Sequence, residues 1–378
     1  MNTDDSIYRS LQQHLDQQAV GFPSVKSGAD VRLLKRLFTP EEARLALYLT
    51  YKPSTTDQIT EKAASEFPAE HAGRLLESML MKGAIGWKKK DGVDRWYVMP
   101  LVIGFYECQD GEPSVEFMKD ADAYLKTLSF GRSFLSVKPS QMRTIPINKS
   151  IPVEHHVATY DQIRTVIGDA KGPFVVLPCI CRTSKAMKDK PCAKTTRKET
   201  CLAMGDMAAG VLRRGRGREV TRDEVLAILE KNEEDGLIVQ PANAQKPDFV
   251  CSCCGCCCGM LSFQKFLPRP VDFWSSNFFA EVDPASCVHC GTCVTRCQVN
   301  AISLSGPSGE AKVNLDKCIG CGLCVPTCPS QAVRLKKKES TVVPPENEEA
   351  LNDEIMANKQ GAIGQTQTMV KAALKMKP

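Results

Sequence analysis

Residues 287–297 read CVHCGTCVTRC, and residues 318–328 read CIGCGLCVPTC. Both stretches follow the pattern C-x2-C-x2-C-x3-C, and each cysteine of the second stretch lies 31 residues after its counterpart in the first. An internal repeat with this regular cysteine spacing indicates a small unit that is built twice and that holds metal through its thiolates.

The spacing also predicts which cysteines act together. Three cysteines two residues apart can wrap a tight loop around one cube of iron and sulfide, and the fourth leaves that loop to ligate the other cube. We therefore expect one [4Fe–4S] cluster on Cys287, Cys290, Cys293 and Cys328. A second [4Fe–4S] cluster is expected on Cys297, Cys318, Cys321 and Cys324. Glycines in both loops let backbone N–H groups approach the sulfurs, namely Gly291, Gly320 and Gly322.

With these motifs, residues 280–337 resemble the bacterial dicluster ferredoxin family. The resemblance implies a ferredoxin-like fold and the transfer of one electron at a time. Pro329 follows Cys328 as it does in that family, whereas Gln298 follows Cys297, a departure that bears on the tuning of the second cluster. A pair of zinc sites is the alternative interpretation, but such sites usually show two separated C-x2-C pairs or histidines.

Ten further cysteines form a second field in the middle of the chain. They are Cys179, Cys181, Cys192, Cys201, Cys251, Cys253, Cys254, Cys256, Cys257 and Cys258. Free thiols at this density would be prone to oxidation, so a metal or cluster role is favoured. We predict one or two further iron–sulfur clusters, with Cys181, Cys192, Cys201 and Cys254 as the leading ligands. One cluster plus a redox-active dithiol, a less usual cluster, or a thiolate-rich zinc or copper site remain alternatives.

The order of these motifs resembles a group of iron–sulfur proteins from anaerobic bacteria and archaea. In that group a C-x-C-R segment, two spaced cysteines and a C-x-C-C run precede a dicluster ferredoxin. Between the two cysteine segments, Thr221 and Glu224 predict a capped helix that ends at Gly236. Four arginines precede this helix, namely Arg213, Arg214, Arg216 and Arg218. They predict a solvated surface or, alternatively, a site that offsets the charge of a cluster or docks an acidic partner.

The N-terminal third has the pattern of a winged helix. Thr39 caps a helix that runs to about Leu49, further helices are expected at 56–66 and 69–82, and a hairpin turns at Asp91 and Gly92. The third helix has mixed charge, whereas readers of DNA concentrate Arg and Lys. We therefore expect a docking or dimerisation role for this domain and do not expect it to bind nucleic acid.

We predict an α+β multidomain chain. The parts are an N-terminal helical arm at 1–35, a winged-helix-like domain at 36–100, a linker and helical region at 101–178, a cysteine-rich and mainly α-helical domain at 179–267, a dicluster ferredoxin domain at 280–337, and a partly helical or disordered tail at 338–378. His155 and His156 could be ligands, although paired histidines at a segment boundary are more often structural.

Composition and missing motifs narrow the function. The chain has 378 residues, 19 cysteines and a formal net charge of +5. The polar, acidic start of the sequence predicts no secretory signal, and no apolar segment is long enough to predict a membrane span. We therefore expect a cytoplasmic protein, in which reducing conditions favour metal ligation by the cysteines over disulfides. No G-x-G-x-x-G motif or P-loop is present.

We therefore expect an electron-transfer protein or subunit that links a soluble donor to a partner oxidoreductase, such as a flavoprotein. A redox-responsive winged-helix regulator and an enzyme with its active centre in the middle cysteine field are the alternatives.

Overall fold

Five helices and a hairpin form the N-terminal part of the chain in a computed structural model that describes residues 3–63, 66–109, 113–150, 158–306 and 309–374. The helices are α1 (Thr3–Asp16), α2 (Ala29–Leu37), α3 (Pro40–Ala46), α4 (Thr56–Lys62) and α5 (Ala69–Met81). The hairpin joins β1 (Ile85–Lys90) to β2 (Val93–Val98) in antiparallel register.

The capping box predicted at Thr39 is confirmed. Its hydroxyl accepts the Glu42 N–H at 3.2 Å, and the Glu42 carboxylate accepts the Thr39 N–H at 2.7 Å. The elements from α3 to β2 follow the predicted order of three helices and a hairpin. The winged-helix assignment itself stays a prediction.

A helical region connects the hairpin to the middle of the chain. An irregular turn spans Leu101–Phe105, and three helices follow, α6 (Val115–Leu125), α7 (Leu128–Leu135) and α8 (Ile163–Asp169). His155 and His156 lie outside the described residues.

A five-stranded sheet, which the prediction of a mainly α-helical domain did not include, is the centre of the middle region. The strands lie in the order β5-β3-β4-β7-β6 and every neighbouring pair is antiparallel. The strands are β3 (Phe174–Pro178), β4 (Glu199–Met204), β5 (Arg218–Val220), β6 (Ile238–Pro241) and β7 (Phe249–Cys253). The helices around them are α9 (Ile180–Ala186), α10 (Gly205–Arg213), α11 (Arg222–Glu234) and α12 (Gly259–Gln264).

The C-terminal module contains two short antiparallel pairs. β8 (Phe278–Val282) pairs with β11 (Val333–Lys337), and β9 (Ile302–Ser305) pairs with β10 (Glu310–Val313), while α13 spans Thr292–Arg296. Residues of the middle sheet and of this module belong to one buried apolar cluster, which includes Leu202, Val250, Ile319 and Leu335. The module is therefore packed onto the sheet.

The tail forms two helices, α14 (Glu348–Ala357) and α15 (Ala362–Ala373). Leu351 and Ile355 of α14 are buried against Ala19 near the N-terminus. The α+β class is confirmed. Among the helices of the described residues, none combines the length and apolar character that crossing a bilayer requires.

Candidate metal centres

One cysteine group lies near the surface of the C-terminal module. Cys287, Cys290 and Cys293 of the first repeat and Cys328 of the second line one cavity. Cys290 is exposed and Cys293 is buried. Three thiols from one repeat and one from the other therefore face the same space.

The second group is more enclosed. Cys318 and Cys324 are buried, and the backbone N–H groups of Ala280 and Ala301 donate to the sulfurs of Cys318 and Cys297 at 3.3 and 3.1 Å. Burial raises the pKa of Cys321 to about 12, and the Cys297 thiolate adds to this rise. Thiolates this close together repel one another, and a bound cation relieves that repulsion, so the group is suited to metal ligation.

Two glycines allow the second loop to pack closely. Gly320 has a φ of 64°, and an added Cβ would lie 2.2 Å from the carbonyl oxygen of Phe278 in β8. Gly322 has a φ of 76°, and its Cβ would lie 2.1 Å from the hydroxyl of Ser150. Only glycine meets both requirements. Eight thiols in two groups, with backbone N–H groups against the sulfurs, fit two [4Fe–4S] clusters.

The middle field divides into two groups of thiols. The first, here called the four-cysteine group, consists of Cys192, Cys254, Cys256 and Cys257, whose sulfurs all lie within 4.8 Å of one another. Burial opposes ionisation of Cys192, but the N–H of Lys194, which donates to its sulfur at 3.4 Å, helps to lower the pKa of Cys192 to about 7.

The second group, here called the six-cysteine ring, is built on the sheet. It consists of Cys179, Cys181, Cys201, Cys251, Cys253 and Cys258. Leu202 pairs with Val250, so Cys201 and Cys251 are neighbours across β4 and β7, and Cys253 lies on the same face as Cys251 because side chains alternate along a strand. The starts of α9 and α12 supply the other members.

Neighbouring thiols in the ring contact one another in a closed circuit. The contacts run from Cys179 to Cys181, Cys258, Cys253, Cys251 and Cys201, and back to Cys179. Hydrogen bonds from the thiols of Cys201 and Cys253 lower the pKa of Cys251 to about 6. The ring therefore contains thiolate at neutral pH, which is the form that binds metal.

Arg182 lies between the two groups. It is 6% exposed, and one guanidinium nitrogen donates to the carbonyl oxygen of Ser252 at 2.9 Å. Burial opposes its charge, but the thiolates of Cys179, Cys254 and Cys201 raise the pKa of Arg182. Its charge offsets the thiolates of both groups, because two of these cysteines belong to the ring and one to the four-cysteine group.

A carboxyl group also faces the ring. Burial raises the pKa of Glu107 to about 7, although the N–H of Gly104 donates to its carboxylate at 2.9 Å, and the Cys258 thiolate adds to the rise. Ile103 in the same turn has a φ of 58°, an unusual conformation for a β-branched residue. Such backbone strain often occurs at functional sites.

Gln298 joins the C-terminal module to the four-cysteine group. Its side-chain oxygen accepts the N–H of Gly255 at 3.0 Å, and its amide donates to the Gly236 carbonyl oxygen at 3.1 Å. A Cβ at Gly255 would lie 2.1 Å from the Gln298 carbonyl oxygen, so the two backbones touch. Gln298 follows Cys297, and Gly255 lies between Cys254 and Cys256.

The structure does not bring together the four cysteines expected to lead the ligand set. Cys192 and Cys254 lie in the four-cysteine group, whereas Cys181 and Cys201 lie in the ring. Cys108 belongs to neither group, and its carbonyl oxygen accepts from Arg214 at 2.7 Å.

At least three of the four arginines near residue 215 are engaged within the protein, since Arg213 and Arg218 have side-chain partners in addition to the contact of Arg214 with Cys108. The guanidinium of Arg213 lies 4.6 Å from the ring centre of Trp87 and 2.7 Å from Glu77 of α5. Arg218 pairs with Glu199 at 3.0 Å. These contacts give both arginines a structural role.

Sequence reasoning missed Glu107 and the role of Gln298. Nothing in the sequence near Glu107 marks it, because its place against the ring depends on the fold of the preceding turn. Gln298 did carry a signal, since it stands where the second repeat has Pro329.

Residues 280–335 match the family model for the 4Fe-4S dicluster domain. No match was found among curated proteins or among solved structures. This domain defines an iron–sulfur protein, and the additional cysteine cluster indicates a further metal site. Its dicluster domain gives it an electron-transfer role.

Proposed function

We propose that this protein is an electron relay between a soluble redox partner and a metal centre in its own middle region. The observation that carries the proposal is the contact of Gln298 with Gly255, which connects a cysteine of the C-terminal module to the middle field. When bound, [4Fe–4S] clusters supply one-electron redox chemistry.

The outer end of the relay is the group around Cys290. Cys287, Cys290, Cys293 and Cys328 would hold the first cluster, and their shared cavity supports this crossed assignment. Val288 is 63% exposed beside the exposed Cys290. A short distance to the surface and an apolar contact suit transient docking of a flavoprotein or a reductase.

The inner end of the relay starts at the enclosed group. Cys297, Cys318, Cys321 and Cys324 would hold the second cluster, and the N–H donors on Cys297 and Cys318 stabilise the thiolates. Gln298 positions this group against the Cys254–Cys257 segment. The six-cysteine ring borders that segment, because Cys181 packs against Cys254 and Cys257. The ring would hold a further iron–sulfur centre as the internal redox partner.

The helices and hairpin at the N-terminus serve as a packing domain in this proposal. Arg213 of α10 pairs with Glu77 of α5 and with Asp94 of β2 at 2.9 Å, and Lys88 pairs with Glu349 at 2.9 Å. The third helix and the hairpin of the proposed winged helix thus contact the middle region and the tail. This supports an internal docking role over DNA binding.

A second candidate function is catalysis at the six-cysteine ring, and Glu107 favours it. Glu107 faces Cys258 of the ring, and the same segment borders a separate cavity of about 110 Å³ that residues 99–101, residues 103–105 and Cys108 help to line. A buried carboxyl group with a pKa near neutrality can supply a proton during reduction. The effect of Glu107→Gln on the pH dependence of the ring centre's potential tests this candidate.

The relay is tested by reducing the full-length protein with a low-potential flavoprotein under anaerobic conditions. We expect Cys290→Ser to slow reduction of the middle-region centre at least about tenfold, since electrons would enter through the group that contains Cys290. Cys108→Ser is the matched control and should reduce like the wild type. Equal rates in the wild type and in Cys290→Ser would exclude this route.

A further inference from the structure

We propose that the four-cysteine group binds a single, tetrahedrally coordinated metal ion and not an iron–sulfur cluster. The group consists of Cys192, Cys254, Cys256 and Cys257. This inference is independent of the proposed relay. It separates the ten middle cysteines into a mononuclear site and a ring of six that remains for a polynuclear centre.

The sulfur separations match one ion. Cys192 lies 3.6 Å from Cys254 and 3.7 Å from Cys256, and Cys256 lies 3.5 Å from Cys254 and 3.7 Å from Cys257. A tetrahedral ion with metal–sulfur bonds of about 2.3 Å holds its ligand sulfurs about 3.8 Å apart. Four of the six sulfur pairs therefore stand near this spacing, and the other two lie within 4.8 Å.

The same separations are too short for a cluster. Cysteine sulfurs around a [4Fe–4S] cube lie about 6 Å apart, because each extends outward from a different iron atom. A [2Fe–2S] cluster holds its two cysteine pairs about 5.5 Å apart for the same reason. Every pair in the four-cysteine group lies within 4.8 Å, so no room remains for bridging sulfides.

The surroundings suit a tetrathiolate site. A divalent ion with four thiolates carries two net negative charges, and Arg182 provides compensating charge beside Cys254. The N–H of Lys194 donates to the sulfur of Cys192, a contact typical of thiolates that ligate metal. Leu237 covers the site on one side, where Cys254 and Cys257 are buried, whereas Cys192 and Cys256 lie towards the surface.

The site would fasten two distant parts of the chain. Cys192 lies in the long connection between α9 and β4, whereas the other three ligands lie after β7. An ion at this point closes a loop of about 60 residues, and such a cross-link stabilises the fold. Zinc would make the site purely structural, and iron in the same geometry would make it redox-active.

The test measures zinc, iron and acid-labile sulfide in anaerobically purified full-length protein and in three cysteine variants. We expect Cys256→Ser to lose about one metal equivalent and no sulfide, since one ion sits in the site. Cys253→Ser, in the ring, should lose iron together with sulfide. Cys108→Ser should keep the wild-type content. Loss of sulfide in Cys256→Ser, or no loss of metal, would overturn the proposal.

X-ray absorption of the unaltered protein covers the case in which a variant does not fold. Zinc with four sulfurs at about 2.3 Å and no nearby metal scatterer is the expected zinc result. A high-spin mononuclear iron signal in paramagnetic resonance is the expected result for iron. A protein with neither tetrathiolate zinc nor mononuclear iron contradicts the proposed site.

Discussion

Gln298 connects the two cysteine-bearing regions through its buried side-chain amide. It is 4% exposed and bonds to Gly255 and Gly236 through both ends of its amide. Burying a glutamine at this position is unfavourable in free energy, because the side chain loses conformational entropy and its amide loses contact with water. The two hydrogen bonds offset this cost. The second repeat places Pro329 at the equivalent position, where no such bridge exists because proline has no side-chain amide.

We predict that Gln298→Ala lowers the stability of the full chain by about 1–3 kcal/mol, because the buried N–H of Gly255 loses its acceptor. It should also slow electron transfer to the middle region while leaving both clusters of the C-terminal module in place. Thermal unfolding and flavoprotein-driven reduction measure the two effects. Gln13→Ala, at an exposed position, is the control. Transfer at the wild-type rate would remove Gln298 from the route.

The fourth cysteine of each repeat gives a second prediction at this scale. Cys297→Ser should perturb the cluster expected on Cys318, Cys321 and Cys324, since its thiolate raises the pKa of the second-group thiols Cys321 and Cys324. Cys328→Ser should perturb the other cluster. Paramagnetic resonance of the reduced variants distinguishes the two signals. If Cys297→Ser removed the signal of the Cys287 group alone, the crossed assignment would be wrong.

The role of a single residue could be predicted from the sequence where the spacing within a motif defined that role. The cysteines of the C-terminal repeat have a motif that specifies a ligand set. The middle cysteines have no such motif, and their division into four and six depends on how β7 and the start of α12 point their side chains. Glu107 could not be found, because only the fold brings its carboxyl group to the ring.

Among the secondary-structure elements, α14 carries the clearest dependence on pH. Burial raises the pKa of Glu348 to about 8 and that of Asp248 to about 6, and the two carboxyl groups repel each other. Both values exceed the ordinary ones, so the folded state binds more protons than the unfolded state. The contribution of this carboxyl pair to stability should therefore fall as the pH rises from about 4.5 to 8.

Glu348→Gln removes the larger part of this penalty. We predict that the variant is more stable than the wild type at pH 8.5, by on the order of 1 kcal/mol after allowance for solvent screening, and equal to it near pH 4.5. Thermal unfolding at both pH values measures this. Glu349→Gln, whose carboxylate pairs with Lys88 at the surface, is the control. A variant that is less stable at pH 8.5 would contradict the pKa assignment.

Helix α5 and the hairpin lead to a prediction about nucleic acid. Glu77 of α5 and Asp94 of β2 are occupied by ion pairs with Arg213 inside the protein, and the charge of α5 is mixed. We predict that no tight, salt-resistant sequence motif emerges when genomic fragments are selected with the holoprotein, because phosphate binding needs clustered basic residues. Recovery of one such motif would support the regulator instead.

Helices were easier to predict than strands. Thr39 and Thr221 each accept the N–H three residues later, so their caps were readable from residue type and spacing. The middle sheet was missed because its strands are short and because cysteines occupy one face of β7. In sequence, the run Cys251–Cys258 resembles a loop of metal ligands. Its many cysteines hide the alternation of side chains between two faces that would predict a strand.

At the scale of the whole molecule, the C-terminal module and the middle sheet form one packed unit. They share a buried apolar cluster, and the N–H of Ile147 donates to the carbonyl oxygen of Cys321 at 3.0 Å. A fragment that ends at Leu267 would expose this core to water, which costs about 25 cal/mol for each Å² of apolar surface. Tests of the middle centres therefore require the full chain.

The central claim is that the middle region takes part in electron transfer, and a reductive titration tests it most directly. The anaerobic full-length protein is titrated to completion, and the electrons taken up per chain are counted. Two [4Fe–4S] clusters account for about two electrons. We predict a larger uptake in the wild type and a smaller one in Cys253→Ser, where the ring is broken, with a return to about two electrons when the four-cysteine group holds zinc. An uptake of about two electrons in both proteins would contradict the relay.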